Sequence, residues 1–431
     1  GNVMDSAQVR IALVGAGGMS FGPIMTYDVI RSEKLKGSTL VLVDTDEKKL
    51  DVAWAIASRI NEACGNPIII EREQDTERGV AGAEYIMTSV EVGRWERWKE
   101  DLEIPKKHGS TQVMGENGGP GGVFHSLRSI KLILEICRQI EKTAPDAFLL
   151  NLTNPMSRVT LAISRATKLR AVGMCHEFGG GFARLVSMLL LPPAKIRANA
   201  SGINHFTWFY EIENAETGED LYPKLRTHAK LLPFLHQPLV RRCFREFGLY
   251  PTSSDSHIGE YLPFVSEEAG PMYNPHKFYH FDWKARGWLS EQYANGLFWL
   301  PVKMLPMSPE EQVPIIQAMA TGDTSARFNA VNVPNKGYVP NLPEGCIVEV
   351  PSRCDSRNLL PETVPPIHEP LAEIMRLQVG LQDKIVDSAI NGDPELAFEA
   401  LVADPLSPPD EKSCRRMFDE MVSLQREQLP F

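Results

Sequence analysis

Short apolar runs recur along the first 175 residues, at positions 9–14, 40–43, 83–90, 147–157 and 171–174. Each is rich in Val, Leu or Ile, too short for a helix, and closed by glycine or polar residues, which is the pattern of buried parallel strands. Helical patterns separate the runs. Strand alternating with helix predicts an α/β fold, a Rossmann-type doubly wound sheet with ligands at the carboxyl ends of its strands. The second half reads differently. An aromatic, strand-like run follows residue 205, prolines gather at 333–370 and predict a loop-rich stretch, and a long amphipathic helix is expected over "HEPLAEIMRLQVGLQDKIVDSAI". We therefore expect a nucleotide-binding domain over residues 1–200 and a helix-rich α+β domain over 201–431 for substrate, metal and oligomer contacts.

The strand ends carry the chemistry. After the first run comes Gly15-Ala16-Gly17-Gly18-Met19-Ser20, opening a helix. Glycines at such a turn let the backbone approach a pyrophosphate at the helix N-terminus. The third position of the usual G-x-G-x-x-G is Ser20 here. Asp44 closes the second run, where a carboxylate accepts adenosine ribose hydroxyls and disfavours a 2′-phosphate, so NAD is the expected cofactor. Asn151 and Asn154, in "NLTNP", end a further strand, where a side-chain amide can bridge nicotinamide ribose and substrate.

Composition narrows the partners. The 431 residues are 43% hydrophobic and 23% charged, with a formal net charge of −10 and no run of like charge. That balance argues against nucleic acid or an anionic membrane surface as partner. No stretch is long and apolar enough for a membrane span. The opening residues lack a basic segment followed by an apolar core, so no secretory signal is expected. Seven cysteines, widely spaced, fit reduced thiols in the cytoplasm better than a disulfide framework.

Two of the remaining residues fit a metal. Cys175 follows the strand at 171–174, and His205 precedes the aromatic run. A thiolate and an imidazole from two loops make a partial site with open positions that a substrate with vicinal hydroxyls can fill. A closed structural zinc site needs four ligands, and no C-x-x-C pair is present.

Taken in order, "VGAGGMSFGP", "GGPGGVFHSLRSI", "NLTNPMSRVT", "GMCHEFGGG", "SGINHFTWF" and "NLPEGCIVEVP" resemble the NAD- and manganese-dependent glycosidases of glycoside hydrolase family 4, from about residue 9 to about residue 425. This family stands outside ordinary two-carboxylate glycoside hydrolysis. The resemblance implies oxidation of the sugar at C3 by NAD⁺, deprotonation at C2, elimination of the C1 substituent, addition of water and return of the hydride. It implies Cys175 and His205 as ligands of Mn²⁺, Asn154 at the sugar hydroxyls, and His176 in the place of the leaving-group acid. Asn204, in the Gly-x-Asn-His motif, is expected with Asn154 at the substrate. For the C2 base, the segment "SSDSHIGEYLPF" offers Asp255, His257, Glu260 and Tyr261, of which Tyr261 or Asp255 is favoured. The resemblance also implies a homodimer or homotetramer.

"CHEF" is similar to the Cys-His members of that family, which act on unphosphorylated α-glycosides. Cys-His-Glu resembles those acting on α-galacturonides or α-glucuronides, so a hexuronide is expected, with Glu177 near the substrate and Arg97, Arg94 or Arg286 as carboxylate clamp. An α-glucosidase or α-galactosidase of the same mechanism, a plain NAD-dependent 2-hydroxyacid dehydrogenase and a non-catalytic NAD-binding protein are the alternatives.

Overall fold

The computed structural model describes residues 2–269, 274–297 and 299–431. Its strands are β1 (Arg10–Val14), β2 (Thr39–Val43), β3 (Ile69–Glu73), β4 (Tyr85–Thr88), β5 (Phe148–Asn151), β6 (Arg170–Gly173), β7 (Ile196–Ile203), β8 (Phe206–Asn214), β9 (Phe328–Pro334), β10 (Ile347–Cys354) and β11 (Leu359–Pro361). All lie in one sheet, ordered β3-β2-β1-β4-β5-β6-β9-β10-β7-β8, with β11 on β10. The first six strands are parallel, in the doubly wound order 3-2-1-4-5-6. From β6 onward the pairings are antiparallel.

The apolar runs are buried because helices cover both faces of the parallel half. Successive side chains alternate between two cores. Ile11, Leu13, Leu40 and Leu42 pack on one face with Met25, Val29 and Ile56 of helices Gly22–Arg31 and Glu47–Ala63. Ala12, Val14, Val41 and Val43 pack on the other with Val123, Ile130 and Val159 of helices Gly119–Thr143 and Met156–Ala166. That second core also contains Leu381, Phe398 and Met417, from helices Glu369–Asn391, Pro394–Ala403 and Glu411–Gln425. The C-terminal helices thus return to cover the N-terminal strands. Residue 200 lies inside β7, and the sheet runs past it without interruption. The proline-rich stretch 333–370 is not all loop, since β10 and β11 lie within it. Among the described residues no helix is long and apolar enough to cross a membrane.

Buried ionic groups tie the layers together. Arg128 donates to both carboxylate oxygens of Asp101, at 3.0 and 2.6 Å, and both side chains are almost fully buried. Removing one partner leaves the other charge stranded. Asp101→Ala is expected to destabilise the fold by about 3–5 kcal/mol, read from the urea midpoint. Asp404 lies beside Arg158, and burial pushes its carboxyl up to about 6, against the Leu406 amide and Arg158. Its folded value exceeds the unfolded value of about 3.9. Its stabilising contribution is therefore complete below about pH 4 and lost as pH rises through about 6. In a urea series across that window, Asp404→Asn is expected to flatten the decline.

Candidate active site

Two adjoining cavities open at the carboxyl ends of β1, β2, β4, β5 and β6 and share Ser20, Ser89, Val90, Glu91 and Arg94. The first, about 590 Å³, is lined by Gly15, Gly17, Gly18, Met19, Ser20 and Asp44. Gly15 sits at φ +87°, and a Cβ there would lie 1.9 Å from the Ser89 carbonyl oxygen. A Cβ at Gly17 would lie 2.4 Å from Cβ of Lys49. Asp44 accepts from the Gly17 amide at 2.9 Å and from the Asp46 amide. The glycine that lets the helix close on the first strand is Gly22, two positions beyond Ser20, because a Cβ there would meet the Ala16 carbonyl at 2.3 Å. The motif is thus complete at a longer spacing, which its first three glycines did not disclose.

The second cavity, about 560 Å³, holds Asn154, Cys175, His176, Glu177, His205 and His257. Cys175 follows β6, and His205 sits in the two-residue turn between β7 and β8 with φ +65°, a conformation rare outside glycine. Cys175 Sγ is 3.5 Å from His205 Nε2. Glu177, at the first turn of helix Glu177–Leu189, brings Oε1 to 4.0 Å from His205 Nε2, and one donor atom from each of the three lies within 4.8 Å of the others. Glu177 is also 3.4 Å from His257 Nε2 and 3.8 Å from His176 Nε2.

Charge is distributed to match. Burial pushes the Cys175 thiol well up, and the Glu177 and Glu349 carboxylates add to it, so a cation is needed to draw out its proton. Burial, with His257 beside it, pushes His205 down to about 3, leaving the neutral imidazole that ligates metals. Burial alone would raise Glu177, but the facing imidazoles, His257 foremost, outweigh it and bring it to about 2. Burial alone would lower His257, but Glu177, then Glu116 and Glu260, raise it. Asn154 Oδ1 and His205 Nδ1 are buried without a partner among the described residues. Sulfur, imidazole and carboxylate donors, with an unpartnered amide oxygen beside them, fit a divalent transition metal with open positions; the glycine cradle fits a dinucleotide.

Other expected residues lie elsewhere. Asp255 faces a different cavity, and its two oxygens accept from the Leu239 and Val240 amides, capping helix Pro238–Phe247. Tyr261 is buried behind the cluster, donates to the Asn204 carbonyl, and does not line the cavity. From that segment it is His257 that turns into the cavity, while Glu260 accepts from the Glu116, Asn117 and Gly118 amides. Asn204 does not line the cavity, but its side chain donates to Glu349 and hydrogen-bonds the Cys175 thiol from behind; Asn151 spends its amide on Thr88, Thr153 and Met156 and is held inside the fold. Arg97 pairs with Glu100 and Gln428, away from both cavities. Arg94 and Arg286 do line the second cavity, paired with Glu91 and Asp282. Arg184 and Tyr279 line it too, from the helices that carry Glu177 and Arg286, although the sequence pattern assigned neither of them a role.

The family 4 glycosyl hydrolase model matches residues 10–191, and the family 4 glycosyl hydrolase C-terminal domain matches residues 200–407. The chain belongs to family 4 of the glycosyl hydrolases. An α-glucosidase of Erwinia rhapontici is 30% identical, over 97% of this chain and 98% of its own. An α-galacturonidase of Bacillus subtilis is 26% identical, over 96% and 97%. A 6-phospho-α-glucosidase from gut microorganisms, solved with NAD and Mn²⁺, superimposes with TM-score 0.86 at 20% identity, covering 98% of this chain and 99% of its own.

The positive φ and the contact with Ser89 make Gly15 intolerant of a side chain. Gly15→Ala is expected to lower the urea midpoint, by about 1–3 kcal/mol of stability or more.

Proposed function

We propose that this glycosyl hydrolase is an NAD- and Mn²⁺-dependent α-glycosidase for unphosphorylated sugars, with α-hexuronides, galacturonides or glucuronides, as its preferred class. The carrying observation is the convergence of Cys175, His205 and Glu177 at a cavity that adjoins the glycine-lined one. When bound, NAD⁺ supplies a hydride acceptor for the sugar C3 and the divalent ion a Lewis acid that acidifies the C2 proton.

The chain's own residues do the rest. Gly15, Gly17 and Gly18 admit the pyrophosphate, and Asp44 receives the adenosine ribose. Cys175, His205 and Glu177 hold the ion. Asn154 presents an unpartnered amide oxygen to the sugar hydroxyls. His257 and Tyr279 face the same space and are the groups placed to take the C2 proton, His257 in its neutral form, which the surrounding carboxylates disfavour, and Tyr279 as the phenolate, which burial disfavours. His176, half-exposed in the same cavity, is the group to protonate a departing alkoxide.

A neutral sugar is the second reading. Glu91, Glu116 and Glu310 line the cavity alongside Glu177, and identity is higher to the α-glucosidase than to the α-galacturonidase. The hexuronide reading rests on Cys-His-Glu at 175–177 and on the cavity arginines.

The assay is aglycone release from aryl α-glycosides with NAD⁺ and Mn²⁺. Release without accumulation of NADH is expected; sustained NADH formation without cleavage would point instead to a dehydrogenase. Cys175→Ser and His205→Ala are expected to lower kcat/KM at least about 10³-fold. Glu177→Gln is expected to weaken Mn²⁺ binding about 10–100-fold, read by the electron paramagnetic resonance of free Mn²⁺.

A further inference from the structure

Three residues of helix Glu177–Leu189 line the second cavity: Glu177, Gly180 and Arg184. Their i, i+3, i+7 spacing puts them on one face. At one end of that face stands the carboxylate that meets Cys175 and His205. In the middle, a Cβ on Gly180 would meet nothing within 4 Å, so the helix is bare towards open space. At the other end stands a guanidinium. Seven residues span about 10 Å of helix, and the Arg184 head group lies against the Thr252 and Ser253 carbonyls at the edge of the same cavity.

Arg184 differs in kind from the other cavity arginines. Arg94 is paired with Glu91 and Arg286 with Asp282, whereas among the described residues Arg184 has no carboxylate in ion-pair range. Its Nη2 donates to the Thr252 and Ser253 carbonyls, at 2.6 and 2.9 Å, and its Nε is buried without an acceptor. The head group is therefore fixed in position by carbonyls, with Asp255 sharing its field at longer range and no carboxylate in direct contact among the described residues. Gly181 makes this possible. A Cβ there would lie 2.6 Å from the Thr252 carbonyl oxygen, so only glycine brings the helix close enough for those two anchors. Consecutive glycines at 179–181 weaken a helix by about 1 kcal/mol each relative to alanine, a cost packing alone does not explain at Gly180.

We propose that Arg184 reads the substrate's exocyclic carboxylate, with the sugar ring lying over Gly180 between the guanidinium and the Cys175–His205 pair. This rests on the glycosidase reading for its chemistry, though not for its binding test.

Calorimetric titration of a free hexuronic acid and of the matching neutral hexose, with NAD⁺ and Mn²⁺ present, decides it. The unaltered protein is expected to bind the acid at least about tenfold more tightly than the hexose. Arg184→Met is expected to weaken acid binding about 100-fold and remove the preference, and Arg184→Lys to keep part of it as a point charge without the planar fork. Gly181→Ala, which leaves the guanidinium in place but displaces its carbonyl anchors, is expected to lower the preference and serves if Arg184→Met does not fold. Unchanged acid binding in Arg184→Met, equal loss of acid and hexose, or a neutral-sugar preference in the unaltered protein would each overturn the assignment. Cleavage of neither aryl hexuronides nor aryl hexosides would overturn the glycosidase reading, while the binding preference still decides Arg184. Cleavage of hexosides alone, with no acid binding, would overturn Arg184 and leave the glycosidase reading intact.

Discussion

Everything in the second cavity depends on a sulfur and an imidazole, thirty residues apart in sequence, standing 3.5 Å from one another. The sheet enforces that contact. Cys175 leaves the end of β6, His205 turns between β7 and β8, and β9 and β10 are the two strands between them. The turn is itself constrained. His205 is held in a left-handed conformation, and Tyr261 fixes the preceding carbonyl from behind. Strain of this kind persists only where surrounding contacts over-determine it.

Backbone proximity is the second theme. Gly15, Gly22 and Gly181 each occupy a place where one added carbon would strike a carbonyl oxygen. Two of these shape the nucleotide end, and the third draws helix Glu177–Leu189 against the segment that carries His257. The same residue type thus sets the spacing of both cavities, through contacts that no side-chain interaction can replace.

Much of the fold was legible in the sequence because it rests on local pattern. The strand runs at 9–14, 40–43, 83–90, 147–157 and 171–174 all correspond to strands, since buried parallel strands need continuous apolar residues. β3 escaped notice because it is a half-exposed edge strand with the polar sequence Ile-Ile-Glu-Arg-Glu. In the site, Cys175 and His205 were legible as residue types at strand ends. The directions of Asp255, Tyr261 and Arg97 were not, because they depend on which neighbour claims each polar atom: two backbone amides, a carbonyl, and Glu100. Arg184 carried no signal, its meaning lying in the lack of a directly paired carboxylate among the described residues, which is a property of three-dimensional neighbours.

The continuity of the sheet has a mechanical consequence. Many nucleotide-dependent enzymes bring two lobes together across a flexible joint once their ligands are aboard. Here the strands bearing the glycine-lined cavity and the hairpin bearing His205 are rungs of one sheet, and the C-terminal helices clasp its far side. Opening a joint between them would mean breaking the Gly173–Asn332 pairing of β6 with β9 or the Glu349–Gly202 pairing of β10 with β7. The separation between the dinucleotide cradle and the thiol–imidazole pair is therefore built in at folding, and ligands must enter through the mouth of the cleft into a frame already at its working dimensions.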